Sequence, residues 1–181
     1  MPEIETARLL LRPFNLNDLD DLARLFGDPA VMRYLGVEGG KTLTRAETQA
    51  ALDAFIAGWH ERGFGRWAVL RKATQQWLGL CGLRLLDGAP ELVYALTKDN
   101  WRQGFATEAA QACLRFAFEE LQLERIVAVT RPGNVASQRV LEKIGMRYER
   151  EVQYYGVDAL GYALTQAEFR ASDAFYLLHR D

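Results

Sequence analysis

The sequence predicts one α/β domain: a mixed, mostly antiparallel central sheet flanked by helices, with one parallel β-α-β crossover. Three observations lead there. Apolar runs of strand length, bounded by turn residues, follow one another at 65–71, 77–86 and 91–97. Segments of helical periodicity precede and follow them. Between Leu92 and Thr130 a strand, a long helix and a β-branched strand succeed each other, and two strands joined this way pair in parallel.

Taken in order, residues 7–14 read as a first strand, rich in leucine and ended by Pro13. Asn15 and Asn17 offer N-caps to a helix carrying Leu19, Leu22, Leu25 and Phe26, which Gly27-Asp28-Pro29 stops. A polar, glycine-bearing stretch at 36–41 leads to Thr44-Arg45-Ala46-Glu47, which has the form of a capping box. The helix behind it shows Leu52, Phe55, Ile56 and Trp59 on one face. The three strands of the meander turn at 73–76 and 87–90. A loop at 99–104 opens a helix from about 105 to 121 whose apolar face is Ala109, Ala110, Cys113, Leu114, Phe116 and Ala117. A strand at 125–130, a short helix near 137–144 and a terminal hairpin at 147–154 and 159–164 complete the series.

Bulk properties narrow the function. With 181 residues, 49% of them hydrophobic, the chain can bury a full core and is not a disordered segment. A net charge of −2 lacks the basic footprint of a general nucleic-acid binder. Cys81, Cys113, His60 and His179 form no spacing that builds a zinc site, and both cysteines sit in apolar runs as core thiols. The N-terminus lacks the apolar stretch of a signal peptide and no apolar span is long enough for a bilayer, so a cytoplasmic protein without membrane contact is expected.

The most informative segment is Lys98-Asp99-Asn100-Trp101-Arg102-Gln103-Gly104-Phe105-Ala106-Thr107-Glu108-Ala109. A strand ends, a loop with one glycine turns, and a helix begins. The first helical N–H groups of such a junction are unpaired and suit an anion such as a diphosphate, although Gly104 could equally relieve an ordinary tight turn. The segment lacks the GK[ST] ending of a Walker loop and the three glycines of a dinucleotide fingerprint. It resembles the acetyl-CoA loop of the GNAT superfamily, with Gly104 and Ala106 in the small-residue positions. Trp101 stands where the general pattern has Gln or Arg, a departure usual in the RimJ/RimL branch, whose YWGKGYATEA is similar to WRQGFATEA here. The resemblance extends to Thr6-Ala7-Arg8-Leu9-Leu10-Leu11-Arg12 near the start and to Asn134–Met146, where Asn134, Ser137, Leu141, Lys143 and Gly145 fall on the family pattern.

The resemblance implies a single GNAT domain over 1–181 that uses acetyl-CoA, needs no metal, and acetylates an amine in a ternary complex. The acceptor is either a protein N-terminal amine or a small molecule, and a homodimer is plausible from family habit. It also implies cofactor contacts from Ala95, Leu96, Thr97, Arg102, Gln103, Gly104, Phe105, Ala106, Thr107, Asn134, Ser137 and Arg139. One backbone N–H, of Ala95 or Leu96, would polarise the thioester carbonyl. Many relatives carry a tyrosine acid at the position of Leu141, which cannot act as one; Ser137, a turn earlier, either meets the departing thiolate or only caps the helix. Asn134 would orient the acetyl group. Glu91 heads the central strand and is either the base that accepts the amine proton or a solvated charge. Asp158, Tyr154 and Tyr155 line up as further acceptor-side residues or as plain hairpin residues. A GNAT-fold module that binds acyl-CoA without catalysis is the second reading, and a nucleotide-binding module the third.

Overall fold

A computed structural model describes residues 1–35, 40–154 and 156–180. The expectations for 36–39 and for Tyr155 lie outside the described residues. Nine strands form one sheet in the order β7-β8-β6-β5-β4-β3-β2-β1-β9. They are β1 (Glu3–Thr6), β2 (Leu9–Pro13), β3 (Arg66–Arg71), β4 (Gln76–Leu86), β5 (Ala89–Leu96), β6 (Arg125–Thr130), β7 (Arg147–Tyr154), β8 (Val157–Thr165) and β9 (Tyr176–His179). Among the described residues only β5 and β6 run parallel; every other pairing is antiparallel.

The helices are α1 (Leu19–Gly27), α2 (Pro29–Met32), α3 (Arg45–Arg62), α4 (Phe105–Arg115) and α5 (Val135–Lys143). Thr44 and Glu47 exchange the two hydrogen bonds of the capping box at α3, and Gly63 ends it in the left-handed conformation. Side chains divide between the two faces of the sheet. One core holds Trp59, Trp67, Leu78, Leu83, Leu92, Leu96 and Leu141 with the apolar side of α4, including Cys113 against Cys81. The other holds Leu22, Leu25, Val31, Met32, Leu52 and Phe55 with Ala68, Leu80 and Ala95. Among the described residues no helix is long and apolar enough to cross a membrane.

The structure corrects several boundaries. The single strand expected at 7–14 is two strands, because the Thr6 hydroxyl accepts the Leu9 N–H at 2.9 Å and reverses the chain at Ala7-Arg8. Asn15 alone caps, through a box with Asp18 around a short 3-10 turn, and Asn17 lies inside that turn. Helix α1 does stop at Gly27, as expected, and Pro29 also starts α2, since Asp28 caps it and proline suits the first helical position. The hairpin turn is Asp87-Gly88, so Ala89 and Pro90 already belong to β5. The helix expected to reach 121 widens into a π-type turn at Phe116–Glu120. Strand β9, which pairs with β1 at the sheet edge, had no periodic signal of its own over four residues.

Candidate active site

The sheet opens beside β5. Strands β5 and β6 share a single register position, Glu91 opposite Val127. Beyond it β5 continues against β4 as far as Leu96 opposite Gly79, while β6 continues against β8. The two strands therefore part, and the edges that face each other lose their ladder partners. Gly79 sets how closely β5 sits against β4. A Cβ there would lie 2.1 Å from the Ala95 carbonyl oxygen and 2.7 Å from the Leu96 Cα. Only glycine lets β5 press this closely on β4.

The chain then turns into α4. Asn100 donates to the Thr97 hydroxyl at 2.7 Å, and the Trp101 indole N–H donates to the Leu96 carbonyl at 2.8 Å. Gln103 donates from its side chain to the Asp99 carbonyl. Arg102 and Gly104 both have positive φ, 59° and 81°, and Gly104 is the N-cap of α4 with no side chain satisfying the first turn. Four N–H groups and the positive end of the helix dipole thus face outward over an exposed loop. Arg8 fastens this loop from β2's approach. Its Nε donates to Glu108 at 2.6 Å, its Nη1 to the Gln103 carbonyl at 2.9 Å, and its guanidinium stacks on Phe105. Beside it lies a surface cavity of about 340 Å³ bordered by Arg8, Gly104, Thr107, Arg115, Lys143 and Tyr176.

Helix α5 closes the other side. The Asn134 side-chain oxygen accepts the Ser137 N–H at 3.2 Å, capping the helix. The Tyr94 hydroxyl lies 2.9 Å from the Ser137 hydroxyl and 3.2 Å from the Ser137 carbonyl oxygen, and its single proton goes to one or the other. Burial pushes the Tyr94 phenol far up, so it stays protonated. Tyr94 therefore spans the opening from β5 to α5. Leu141 is buried in the core, and Arg139 is exposed on α5.

On the opposite face Glu91 is 1% exposed. Its carboxylate accepts from Arg84 Nε at 2.5 Å and from the Val129 backbone N–H. It is not the solvated strand-end charge that the sequence left open. Burial pushes the Glu91 carboxyl up from its ordinary value, while Arg84 pulls the other way. Arg84 also donates to the Tyr154 hydroxyl. Asp158 is exposed and accepts from Gln153 at 2.5 Å, within the β7–β8 hairpin.

Apart from Glu91 and Arg139, the residues expected at the site thus fall into three groups. Arg102, Gln103, Gly104, Ala106 and Thr107 share the loop and first turn of α4, with Phe105 turned into the core so that only its backbone faces out. Ala95 and Leu96 have buried side chains, and the Thr97 N–H is committed to the Leu78 carbonyl at 2.8 Å. Asn134 and Ser137 meet the opening through Tyr94. Tyr94, Arg84 and Gly79 were not singled out from the sequence. Strand alternation could have found Tyr94, whose hydroxyl lies on the face opposite Glu91, Val93 and Ala95.

The model of the acetyltransferase (GNAT) domain matches residues 8–147. This chain belongs to the GNAT family of N-acetyltransferases. It is 31% identical over 157 residues to an uncharacterized N-acetyltransferase, YoaA, of Bacillus subtilis, covering 85% of this chain and 88% of that protein. It superposes on a GNAT-family acetyltransferase from Bacillus anthracis with a TM-score of 0.80 at 28% identity, over 92% and 99% of the two chains. A RimL ribosomal L7/L12 alpha-N-protein acetyltransferase, solved in complex with coenzyme A, shares the GNAT fold at a TM-score of 0.75 and 20% identity, over 88% and 95% of the chains. The GNAT fold uses acetyl-CoA. Among the described residues, no three His, Cys, Asp or Glu side chains gather as ligands for a metal.

Proposed function

We propose that this acetyltransferase moves the acetyl group of acetyl-CoA to a primary amine by direct attack in a ternary complex. The observation that carries the reading is the opening between β5 and β6, with the uncapped N-terminus of α4 at one end of it. The first-turn N–H groups of α4, reached across Gly104 and Ala106, hold the diphosphate, and Arg102 adds a cation. The surface cavity with Lys143 and Arg115 on its wall suits the nucleotide end, and Arg139 adds charge nearby on α5. The freed edge of β5 at Ala95–Leu96 supports the arm and supplies the N–H that polarises the thioester carbonyl.

Ser137 gives its hydroxyl hydrogen to the departing thiolate, and for this the Tyr94 proton goes to Ser137 Oγ rather than to the Ser137 carbonyl. Asn134 fixes the first turn of α5 and so the position of that serine. Glu91, at the point where the strands part, receives the amine proton. Its raised carboxyl value brings it toward the range of a useful base. The acceptor is a protein N-terminal amine or a small-molecule amine.

Calorimetric titration with acetyl-CoA, followed by thiol release in the presence of an amine panel, tests the reading. Saturable binding with amine-dependent release supports it. Binding without release by any amine would favour a non-catalytic acyl-CoA module. A folded protein that binds no acetyl-CoA would overturn it.

A further inference from the structure

The residues of the proposed site lie on both faces of the sheet where β5 leaves β6. The α4 and α5 face carries the loop, Tyr94 and Ser137. In a ternary complex the amine then approaches from the face covered by α1, α2 and α3. Alternation along the strands puts Arg66, Arg84, Glu91, Val93 and Ala95 on that face. Register brings them together, with Arg66 opposite Gly82, Gly82 opposite Val93, and Arg84 opposite Glu91.

The charges here do not balance. Glu91 is taken by Arg84 at 2.5 Å. The Arg66 guanidinium lies 4.2 Å from the Phe55 ring centroid, and among the described residues no carboxylate comes within ion-pair distance of it. A further cation, Arg62, stands near and is paired with Glu61. Burial, and then the neighbouring Arg84, push the Arg66 guanidinium down to about 10. Two guanidinia that share one carboxylate in a half-buried place are unfavourable unless an anion joins them. A guanidinium stacked on an aromatic ring also has its donors preset in a plane, the geometry that matches a carboxylate.

We infer that Arg66 receives a carboxylate carried by the acetyl acceptor, so that the preferred substrates are amines bearing a carboxylate. This rests on the acetyl-transfer reading above. The carboxylate comes either from a free amino acid or from an acidic residue near the N-terminus of a peptide.

The test is thiol release from acetyl-CoA with matched acceptors: glycine and glycinamide, β-alanine and β-alaninamide, and peptide amides beginning Gly-Glu and Gly-Gln. In each productive pair the carboxylate member is expected to exceed its neutral partner in kcat/KM by about tenfold to a hundredfold, the range of one charge-assisted contact. Arg66→Met brings that ratio close to one, through KM rather than kcat. Arg66→Lys, which keeps an aliphatic stem over Phe55, retains part of it. Circular dichroism melting shows whether both variants fold. Preference confined to the amino acids or to the Gly-Glu peptide supports the inference and identifies the source. Equal kcat/KM within every pair, or a wild-type ratio that survives Arg66→Met, overturns it while leaving acetyl transfer intact. Failure of acetyl-CoA to bind in calorimetry would instead remove the reading beneath it.

Discussion

The two faces of the sheet at β5 are built by opposite means. On the α4 face the proposed anion site is backbone: a left-handed Gly104, uncapped N–H groups and a helix dipole, held in place by Arg8 and Glu108. On the α3 face the polar groups are side chains from separate strands, Arg66, Arg84 and Glu91, packed into a half-buried charge cluster. A backbone site serves any ligand with the right diphosphate, whereas a side-chain site can be changed residue by residue. The first suits a cofactor common to a family, the second an acceptor that differs between members.

The sharpest way to break the comparison is at Gly104. A Cβ there meets only the far end of Arg8, at 3.3 Å, but φ is +81°. Gly104→Tyr strains the turn and sets a ring over the first-turn N–H groups. Acetyl-CoA affinity in calorimetry should fall by roughly a hundredfold or more, the loss of about two charge-assisted hydrogen bonds. Circular dichroism should remain that of a folded protein.

Paired truncations sharpen it next. Arg84→Ala leaves the buried Glu91 carboxylate without its cation and should cost about 3 kcal/mol or more in urea unfolding. Arg8→Ala removes a partner whose own side chain is 48% exposed. Its cost to stability should stay under about 1 kcal/mol. Equal losses would contradict the view that one face is backbone-built and the other charge-built.

The smallest expected effect is at Tyr94. Tyr94→Phe deletes the hydroxyl that directs Ser137 and should lower kcat by about tenfold, the worth of one hydrogen bond. Because burial raises the phenol and keeps it neutral, Tyr94 adds no inflection to the kcat profile between about pH 6 and about pH 10. The variant's profile should keep the wild-type shape. A lost alkaline limb would mean that Tyr94 itself ionises in the cycle.

The fold and the loop into α4 were legible because their signals are local. Thr44 and Glu47 cap α3 within one turn, and Trp101 to Glu108 form one continuous loop and helix start. Hydrophobic alternation and helical period likewise act over a few residues, so the strands of the meander and α3 to α5 could be read directly. The split of the first strand was less legible, since it depends on one Thr6 hydroxyl and on β9 arriving from the far end of the chain.

The sequence by itself determined a mixed sheet with one parallel crossover, the turn into α4 at Gly104, and the capped helix that carries Ser137. Tertiary structure alone decided where β5 leaves β6, which partner occupies Glu91, and that Arg66 stands beside Arg84 without a carboxylate of its own. The physical reason is range. Capping, turning and periodicity are settled between near neighbours, whereas the fate of a buried charge depends on which distant strands the sheet brings to its side.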